Sequence, residues 1–150
     1  MWRVWQGKTL RGSMDSQRSR AVIKNGILNP QIRSLLARVR HTNMLVIADR
    51  GFPFWPTIEI VDISLVNDVP TVLQVLNAIR PDFEIGEIFM AEEFLDENTL
   101  EVREQFAQAM AGIPVSYEAH DELKKRVPDA VGLIRTGDII QYANIVLVSA

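Results

Sequence analysis

Short apolar segments that alternate with amphipathic ones restrict the fold of this chain more than any other feature of its sequence. MLVIA (44–48) is a continuous apolar run, which is typical of a strand buried on both faces of a sheet. Before it, Asn29 and Pro30 have the residue types of a helix N-cap and first turn. Apolar residues then recur at the spacing of a helix with one buried face: Ile32, Leu35, Leu36 and Val39.

The alternation continues to the end of the chain. Further strands are predicted at IEIVDI (58–63), near 85–90, and at IPVSY (113–117), AVGLIR (130–135) and YANIVLV (142–148). Helices are predicted from Asp68 and Pro70, with Val72, Val75, Leu76 and Ile79 buried, near 97–110, and from His120 through HDELKKRV. We therefore expect an α/β fold: a three-layer α/β/α single domain with a mixed, largely parallel central sheet.

The mixed character of the sheet is expected at the end of the chain. The last two predicted strands flank a TGD turn (136–138), which we interpret as a hairpin in which Gly137 adopts a positive φ. On the last strand, the period of two places the side chains of Tyr142 and Asn144 on the same face.

Composition excludes several kinds of chemistry. The 150 residues are 47% hydrophobic and 23% charged, which is typical of one globular domain. The absence of cysteine excludes disulfides, thiolate nucleophiles and cysteine-based metal sites. His41 and His120 are the two histidines, so a metal cage made of histidines alone is excluded as well.

Charge is distributed unevenly along the chain. Residues 1–40 contain nine Lys or Arg and one acidic residue, whereas the rest contains seven and eighteen. We interpret residues 1–20 as a flexible basic extension of a domain that spans 21–150. Such an extension can bind nucleic acid or a membrane surface. The acidic domain would repel phosphates, so we expect neither partner. No apolar segment resembles a secretory signal or a membrane span, which predicts a cytoplasmic protein.

Five polar residues are candidates for a functional site. Asp49 follows the most apolar strand, and ligands of open α/β sheets bind beyond the carboxyl ends of strands. It could equally be a loop-capping aspartate. His41 could cap the first helix, and His120 could be a surface residue at the start of a helix. A hydroxyl and an amide on one face suit a polyol, although cross-strand pairing would explain Tyr142 and Asn144 equally well.

Several stretches together resemble the D-ribose pyranase family, which is related to L-fucose mutarotase. They are KNGILN (24–29), HTN (41–43), VIADRGFP (46–53), VDISL (61–65), MAEE (90–93), AHDELK (119–124) and IRTGDIIQYANIVL (134–147). The resemblance covers roughly residues 22–148 and is most specific in IRTG followed by YAN. It implies a cofactor-free, metal-free enzyme that interconverts cyclic forms of a monosaccharide and assembles as a ring, typically a decamer.

The resemblance also implies a role for each candidate. His41 in HTN stands at the position of the proton donor, and the substrate-binding positions are Asp49, His120, Tyr142 and Asn144. His120 favours the ribose branch over the fucose branch. The chain departs from the family pattern at Arg40, where glycine is usual, at Asn43, where an acid is usual, and at Asp138, where glutamate is usual.

Opening a cyclic hemiacetal needs a proton delivered to the ring oxygen and one withdrawn from the anomeric hydroxyl, and histidine can do either near neutral pH. A geometric difficulty follows, because an extended chain from His41 to Asp49 would span about 26 Å. Either residues 41–43 fold back, or two subunits form the site. The alternative functions are an L-fucose-type mutarotase and a non-catalytic sugar-binding protein. The loop at 50–56 is too short to bury Phe52, Phe54 and Trp55 together, which predicts a subunit contact beside the site.

Overall fold

The computed structural model describes residues 22–150. The predicted basic extension, residues 1–20, therefore lies outside the described residues. No helix in the described part of the chain is both long enough and apolar enough to span a membrane.

Six strands and five α-helices follow one another in the described residues. The strands are β1 (Met44–Ala48), β2 (Glu59–Asp62), β3 (Ile85–Ala91), β4 (Val115–Glu118), β5 (Gly132–Arg135) and β6 (Ile145–Ser149). The helices are α1 (Pro30–Arg38), α2 (Val72–Ile79), α3 (Glu93–Glu97), α4 (Leu100–Ala109) and α5 (His120–Arg126). Short 3-10 turns follow α2 and α5, at Arg80–Asp82 and Val127–Asp129.

The strands form one mixed sheet in the order β2-β5-β1-β6-β3-β4. The pairs β2–β5, β5–β1 and β3–β4 are parallel, and β6 is antiparallel to both of its neighbours, β1 and β3. Five strands of this sheet therefore point the same way and β6 points the opposite way. Their carboxyl ends and the amino end of β6 lie at one edge of the sheet, which confirms the predicted mixed, largely parallel α/β fold.

The predicted hairpin around the TGD turn is wrong. β1 lies between β5 and β6, so the two strands do not pair with each other. Residues 136–144 instead cross the carboxyl end of β1, where the Thr136 amide and hydroxyl both donate to the carbonyl of Ala48, at 2.9 and 2.8 Å. The segments were predicted as strands, but their pairing was not: MLVIA, the most apolar strand, pairs with β5 on one side and β6 on the other.

Gly137 is required for space, and its φ is not positive, contrary to the prediction. A Cβ on this residue would lie 2.3 Å from the carbonyl oxygen of Val66 and 2.8 Å from that of Val69. The loop before α2 therefore packs directly against the backbone of the segment after β5. The neighbouring Asp138, only 1% exposed, accepts hydrogen bonds from the amides of Val72 and Ile140, both at 2.9 Å.

The helices lie close to where local sequence signals predicted them, although some of their ends differ. Asn29 caps α1 by accepting from the Ile32 amide at 3.0 Å, as predicted. α2 begins at Val72 with Thr71 as its N-cap and a capping box to Gln74, two residues later than the predicted start at Pro70. The helix predicted near 97–110 is α4, which Thr99 caps, and α3 before it was not predicted.

Both faces of the sheet are covered, as the alternation predicted. Along β1, Leu45 and Ile47 pack into a core with α1, α2, α3 and α4 on one face, whereas Val46 and Ala48 pack into a core with α5 on the other. The four apolar residues predicted to be buried on α2 are all buried. The sheet is therefore a rigid central layer whose carboxyl-end loops are held from both sides.

We expect Gly137→Ala to destabilise the fold by about 1–3 kcal/mol, because the added methyl group meets main-chain atoms that cannot rotate away. Urea denaturation followed by circular dichroism measures the change in the free energy of unfolding. Gly51→Ala is the matched control for stability, since its Cβ would meet its nearest neighbour, Asp49 Oδ1, at 3.7 Å. Equal stability of the two variants would contradict the close approach at Gly137.

Candidate functional site

Three loops at the carboxyl edge of the sheet enclose a cleft of about 320 Å³. One loop follows β1, the second joins β4 to α5, and the third precedes β6. The volume lies at the lower end of the range for small-molecule pockets. The cleft is lined by Asp49, Gly51, Phe52, Pro53, His120, Gln141, Tyr142 and Asn144. Four of the five predicted site residues are therefore together in one chain.

Asp49 and Asn144 form the floor of this cleft. Asn144, only 2% exposed, accepts through Oδ1 from the main-chain amide of Asp49 at 2.8 Å. The carboxylate of Asp49 accepts from the Gly51 amide at 2.9 Å. Burial raises the pKa of Asp49 above its usual value, although hydrogen bonds from Gly51, Phe52 and Asn144 act in the opposite direction. The hydrogen bonds that Asp49 receives therefore offset only part of the cost of burying its charge.

His120 stands between two aromatic rings. The ring of Tyr142 lies edge-on at a centroid distance of 5.1 Å, and that of Phe52 at 6.1 Å. The Nδ1 atom of His120 is buried and has no hydrogen-bond partner within residues 22–150. The hydrogen-bonding capacity of this imidazole is therefore not used up by the side chains that hold it in place.

Tyr142 and Asn144 are not on a strand, contrary to the prediction. β6 begins at Ile145, and Tyr142 lies in a turn with a φ of 56°, a left-handed conformation that is strained for a non-glycine residue. Both side chains still line the cleft because the turn, rather than strand periodicity, brings them there. A non-glycine residue held in such a conformation is a common feature of ligand sites.

Two supporting residues were not recognised as such from the sequence. Both carboxylate oxygens of Glu93 accept from the main-chain amide of His120, at 2.9 and 3.1 Å, and so fix the start of α5. The Nδ2 of Asn98 donates to the carbonyls of Phe94 and Gln141, each at 2.9 Å, and so ties the Tyr142 turn to α3. The only available signal was MAEE (90–93), which contains Glu93 but gives no indication of its contact.

His41 lies at the opposite end of β1 from Asp49. It follows the end of α1 by three residues and lines a second cleft, of about 290 Å³, together with Arg40, Asp82, Glu84 and Ala150 among others. Its Nδ1 lies 2.7 Å from the carbonyl oxygen of Ala150. Because a carbonyl only accepts, Nδ1 carries the hydrogen, and Nε2 is left to give or take a proton.

Residues 41–43 therefore do not fold back toward the first cleft. The Thr42 amide donates to Ser149 at 3.2 Å and the Ser149 amide to Asn43 at 2.9 Å, which fixes this segment beside the end of β6. Within the described residues, no three His, Asp or Glu side chains are grouped so that they could hold a metal ion.

Comparison with known proteins gives consistent results. The family model described as the RbsD / FucU transport protein family matches residues 23–150. A D-ribose pyranase of Geobacillus kaustophilus is 40% identical over 83% of this chain and 90% of its own length. The D-ribose pyranase of Geobacillus thermodenitrificans is 39% identical over 83% of this chain and 93% of its own.

Solved structures agree with the fold. The structure of Bacillus subtilis RbsD complexed with D-ribose has a TM-score of 0.80 and 29% identity, over 85% of this chain and 97% of its own. A fucose mutarotase from Streptococcus pneumoniae, solved with L-fucose, has a TM-score of 0.69 over 81% of this chain and 92% of its own. At 17% identity, the second structure shows a shared fold.

We expect Asp49→Asn to raise the melting temperature at pH 7, because it removes a carboxylate that is buried against its preference for water. The pKa of Asp49 is raised in the folded protein, so the folded state binds this proton more tightly and stability falls as pH rises through the folded pKa. The gain in melting temperature over the wild type should shrink as the pH falls toward about 3.9, the ordinary pKa of Asp. Melting curves from pH 3 to 7 measure it.

Asp121→Asn is a comparison of the opposite sign. A hydrogen bond from Lys124 lowers the pKa of this exposed carboxylate, so its removal should slightly destabilise the protein at pH 7. A melting temperature of Asp49→Asn at or below that of the wild type at every pH would contradict the cost assigned to the buried charge.

Proposed function

We propose, from the premise that this chain belongs to the RbsD / FucU transport protein family, that it is a cofactor-free sugar isomerase that interconverts the pyranose and furanose forms of D-ribose. The observation that carries the proposal is the cleft at the carboxyl edge of the sheet, where Asp49, His120, Tyr142 and Asn144 meet. The chain also aligns with D-ribose pyranases over most of its length.

The chemistry of the cleft suits a small polyol. A carboxylate, an imidazole, a phenol and an amide offer both donors and acceptors to hydroxyl groups. Phe52 and Tyr142 line the cleft and supply apolar surface against which the CH groups of a sugar can pack. Asn144 and Asp49 are bonded to each other, so the polar floor keeps its shape when the cleft is filled.

Ring opening requires one proton to arrive and one to leave. The ring oxygen gains a proton as its bond to the anomeric carbon breaks, and the anomeric hydroxyl loses its proton as the carbonyl forms. The Nε2 of a protonated His41 is the proposed donor, and Asp49 and His120 are groups in the cleft that can accept the second proton. Rotation of the open chain then allows a different hydroxyl to close the ring.

His41 must reach the cleft from another subunit. It lies at the far edge of the sheet in its own chain, so we propose that a neighbouring copy places its His41 over the cleft. When one edge of a subunit contacts the opposite edge of the next copy, the contact is head-to-tail. Repeating such a contact produces a ring if the successive rotations add up to a full turn. This arrangement agrees with the ring, typically a decamer, that the family resemblance implies.

An apolar patch beside the cleft supports such a contact. It consists of Leu65, Val66, Val69 and Ile139, which are 76%, 62%, 45% and 50% exposed. Its two loops are joined, because the Asp68 amide donates to Gly137 at 2.7 Å. Phe54, on the neighbouring loop, is 74% exposed. The exposure predicted for that loop is correct for Phe54 and wrong for Phe52, which is buried and packs against Trp55 and His120. The subunit contact itself stays a prediction.

We expect His41→Ala to lower sugar exchange by about 100-fold or more through loss of the proton donor, while the oligomer stays folded. Saturation-transfer NMR on D-ribose measures exchange between cyclic forms. Co-refolding His41→Ala with Asp49→Asn then tests the shared site. Each chain lacks one half, but about a quarter of the interfaces in a randomly mixed ring join two intact halves.

Recovery of exchange in the mixture, relative to either variant refolded alone, supports a site shared between subunits. Analytical ultracentrifugation of each sample is the control for assembly. A wild-type monomer at micromolar concentration, or a mixture of intact rings without recovery, would rule out the shared site.

The identity of the sugar has its own test. We expect D-ribose to exchange between pyranose and furanose forms faster than L-fucose exchanges anomers, because a pocket that hydrogen-bonds particular hydroxyls penalises an analogue that leaves them unpaired. His120→Ala should weaken ribose binding, whereas His41→Ala should mainly slow the proton transfers. The measurements are both exchange rates at equal concentrations and ribose affinity by calorimetry.

Two alternative functions correspond to other outcomes of these measurements. Faster exchange of L-fucose would indicate a fucose-type mutarotase. Ribose binding with no exchange of either sugar by the wild type would indicate a non-catalytic sugar-binding protein. Unchanged ribose affinity in His120→Ala would overturn the role of that histidine.

A further inference from the structure

Arg135 gathers the main-chain carbonyls of the loop after β1 around one guanidinium group. Its Nη1 lies 2.5 Å from the carbonyl oxygen of Phe52, 3.2 Å from that of Arg50 and 3.5 Å from that of Asp49. Its Nη2 lies 3.2 Å from the carbonyl oxygen of Pro53. The side chain is 12% exposed. Four carbonyls of one loop therefore converge on a single, largely buried cation.

The loop has few other means of fixing these carbonyls. Residues 49–53 leave the strand ladder after Ala48, so their carbonyls need donors from elsewhere. The contacts to Asp49 and Phe52 are partly buried, where a carbonyl without a donor is costly. The guanidinium is planar and carries five N–H donors in a fixed geometry, so it can serve several carbonyls at once. Its Nε is 3.9 Å from Asp62, whose carboxylate balances the charge without occupying the donors that face the loop.

The same loop forms one wall of the candidate site. Asp49, Gly51, Phe52 and Pro53 line the cleft, and Arg135 is not among the lining residues. The guanidinium thus lies behind the wall. We propose that Arg135 is a positioning residue: by holding the carbonyls of residues 49, 50, 52 and 53 it fixes the Asp49 carboxylate and the Phe52 ring in the arrangement that binds sugar. The expected effect on sugar binding rests on the proposed function. The expected effect on the order of the loop rests on its geometry alone.

Lysine cannot replace Arg135 in this role. An ammonium group keeps the positive charge but is a compact donor without the planar fork, so it cannot reach carbonyls on both sides of the loop. Arg135→Lys therefore separates geometry from charge. Arg80 provides a matched control, because its Nη1 and Nη2 donate to the carbonyls of Ala109 and Ala111, at 2.6 and 2.5 Å. These carbonyls end α4, and Arg80 is not among the residues that line the cleft.

The experiment compares Arg135→Lys and Arg80→Lys with the wild type by three measurements. Hydrogen–deuterium exchange reports the amides of residues 50–52, D-ribose exchange kinetics give kcat and KM, and thermal melting gives stability. We expect Arg135→Lys to speed amide exchange in the loop and to raise KM about tenfold, because the loop carries two groups that would contact the sugar. Arg80→Lys should lose stability and keep the wild-type KM.

A KM for Arg135→Lys equal to that of the wild type, with unchanged loop exchange, would overturn the proposal. So would an equal rise in KM for both variants, since that would indicate general destabilisation. If the wild type exchanges no sugar, the proposed function fails, and amide exchange of residues 50–52 decides the role of Arg135 by itself. Should Arg135→Lys not fold, slow rotation of the Arg135 guanidinium in NMR spectra of the wild type supports the proposal, and rotation as fast as that of the exposed Arg33 refutes it.

Discussion

The antiparallel pairing of β6 with β1 determines what each edge of the sheet contains. The register sets Ile47 opposite Ile145 and Met44 opposite Val148, so the two strands cover the same length in opposite directions. Asn144, just before β6, therefore lies beside Asp49, just after β1. At the other edge, Ala150 lies beside His41 and accepts from its ring. One strand pair thus builds the floor of the candidate cleft and, at its far end, orients the histidine proposed to act in a neighbour.

The cleft depends on polar side chains that lie outside it. Glu93 fixes the amide of His120, Asn98 fixes the turn that carries Tyr142, and Arg135 fixes the carbonyls of the loop after Asp49. Each one satisfies main-chain groups that leave regular structure at the carboxyl edge, where strand pairing has ended. Their common effect is preorganisation, because a site held in its binding geometry before the ligand arrives loses less conformational freedom on binding.

Charge burial at Asp49 connects stability with the proposed function. The carboxylate is desolvated in the absence of sugar, and its own hydrogen bonds only partly offset the cost. A sugar hydroxyl donating to that carboxylate would complete its set of partners. Free energy that opposes folding is in this way available to binding, which is a common relation between stability and activity in functional sites.

The sequence was sufficient for most of the strands and helices and for the choice of candidate site residues. Apolar periodicity located β1 and the buried face of α2, and the Asn29–Pro30 pair located the start of α1, because these signals act over a few neighbouring residues. The motifs AHDEL and YAN, read by resemblance, identified His120, Tyr142 and Asn144 as cleft residues. Asp49 was identified both by its place after a buried strand and by the resemblance.

Tertiary structure decided the features that depend on distant partners. The hairpin was wrong because β5 and β6, although close in sequence, each pair with β1, which is remote from both. Gly137 is glycine because the carbonyls of Val66 and Val69 approach it, and no local pattern records an approach across about 70 residues of chain. For the same reason the sequence indicated only that Arg135 ends a strand, and not which carbonyls it contacts. The sequence by itself determined which segments form most of the strands and helices, because these follow from local propensity and periodicity, and its family motifs supplied the candidate site residues. Only the tertiary structure decided which loops meet and which main-chain groups hold them, and it placed His41 and Asp49 at opposite edges of one subunit, because strand order is set by packing between segments remote in the chain.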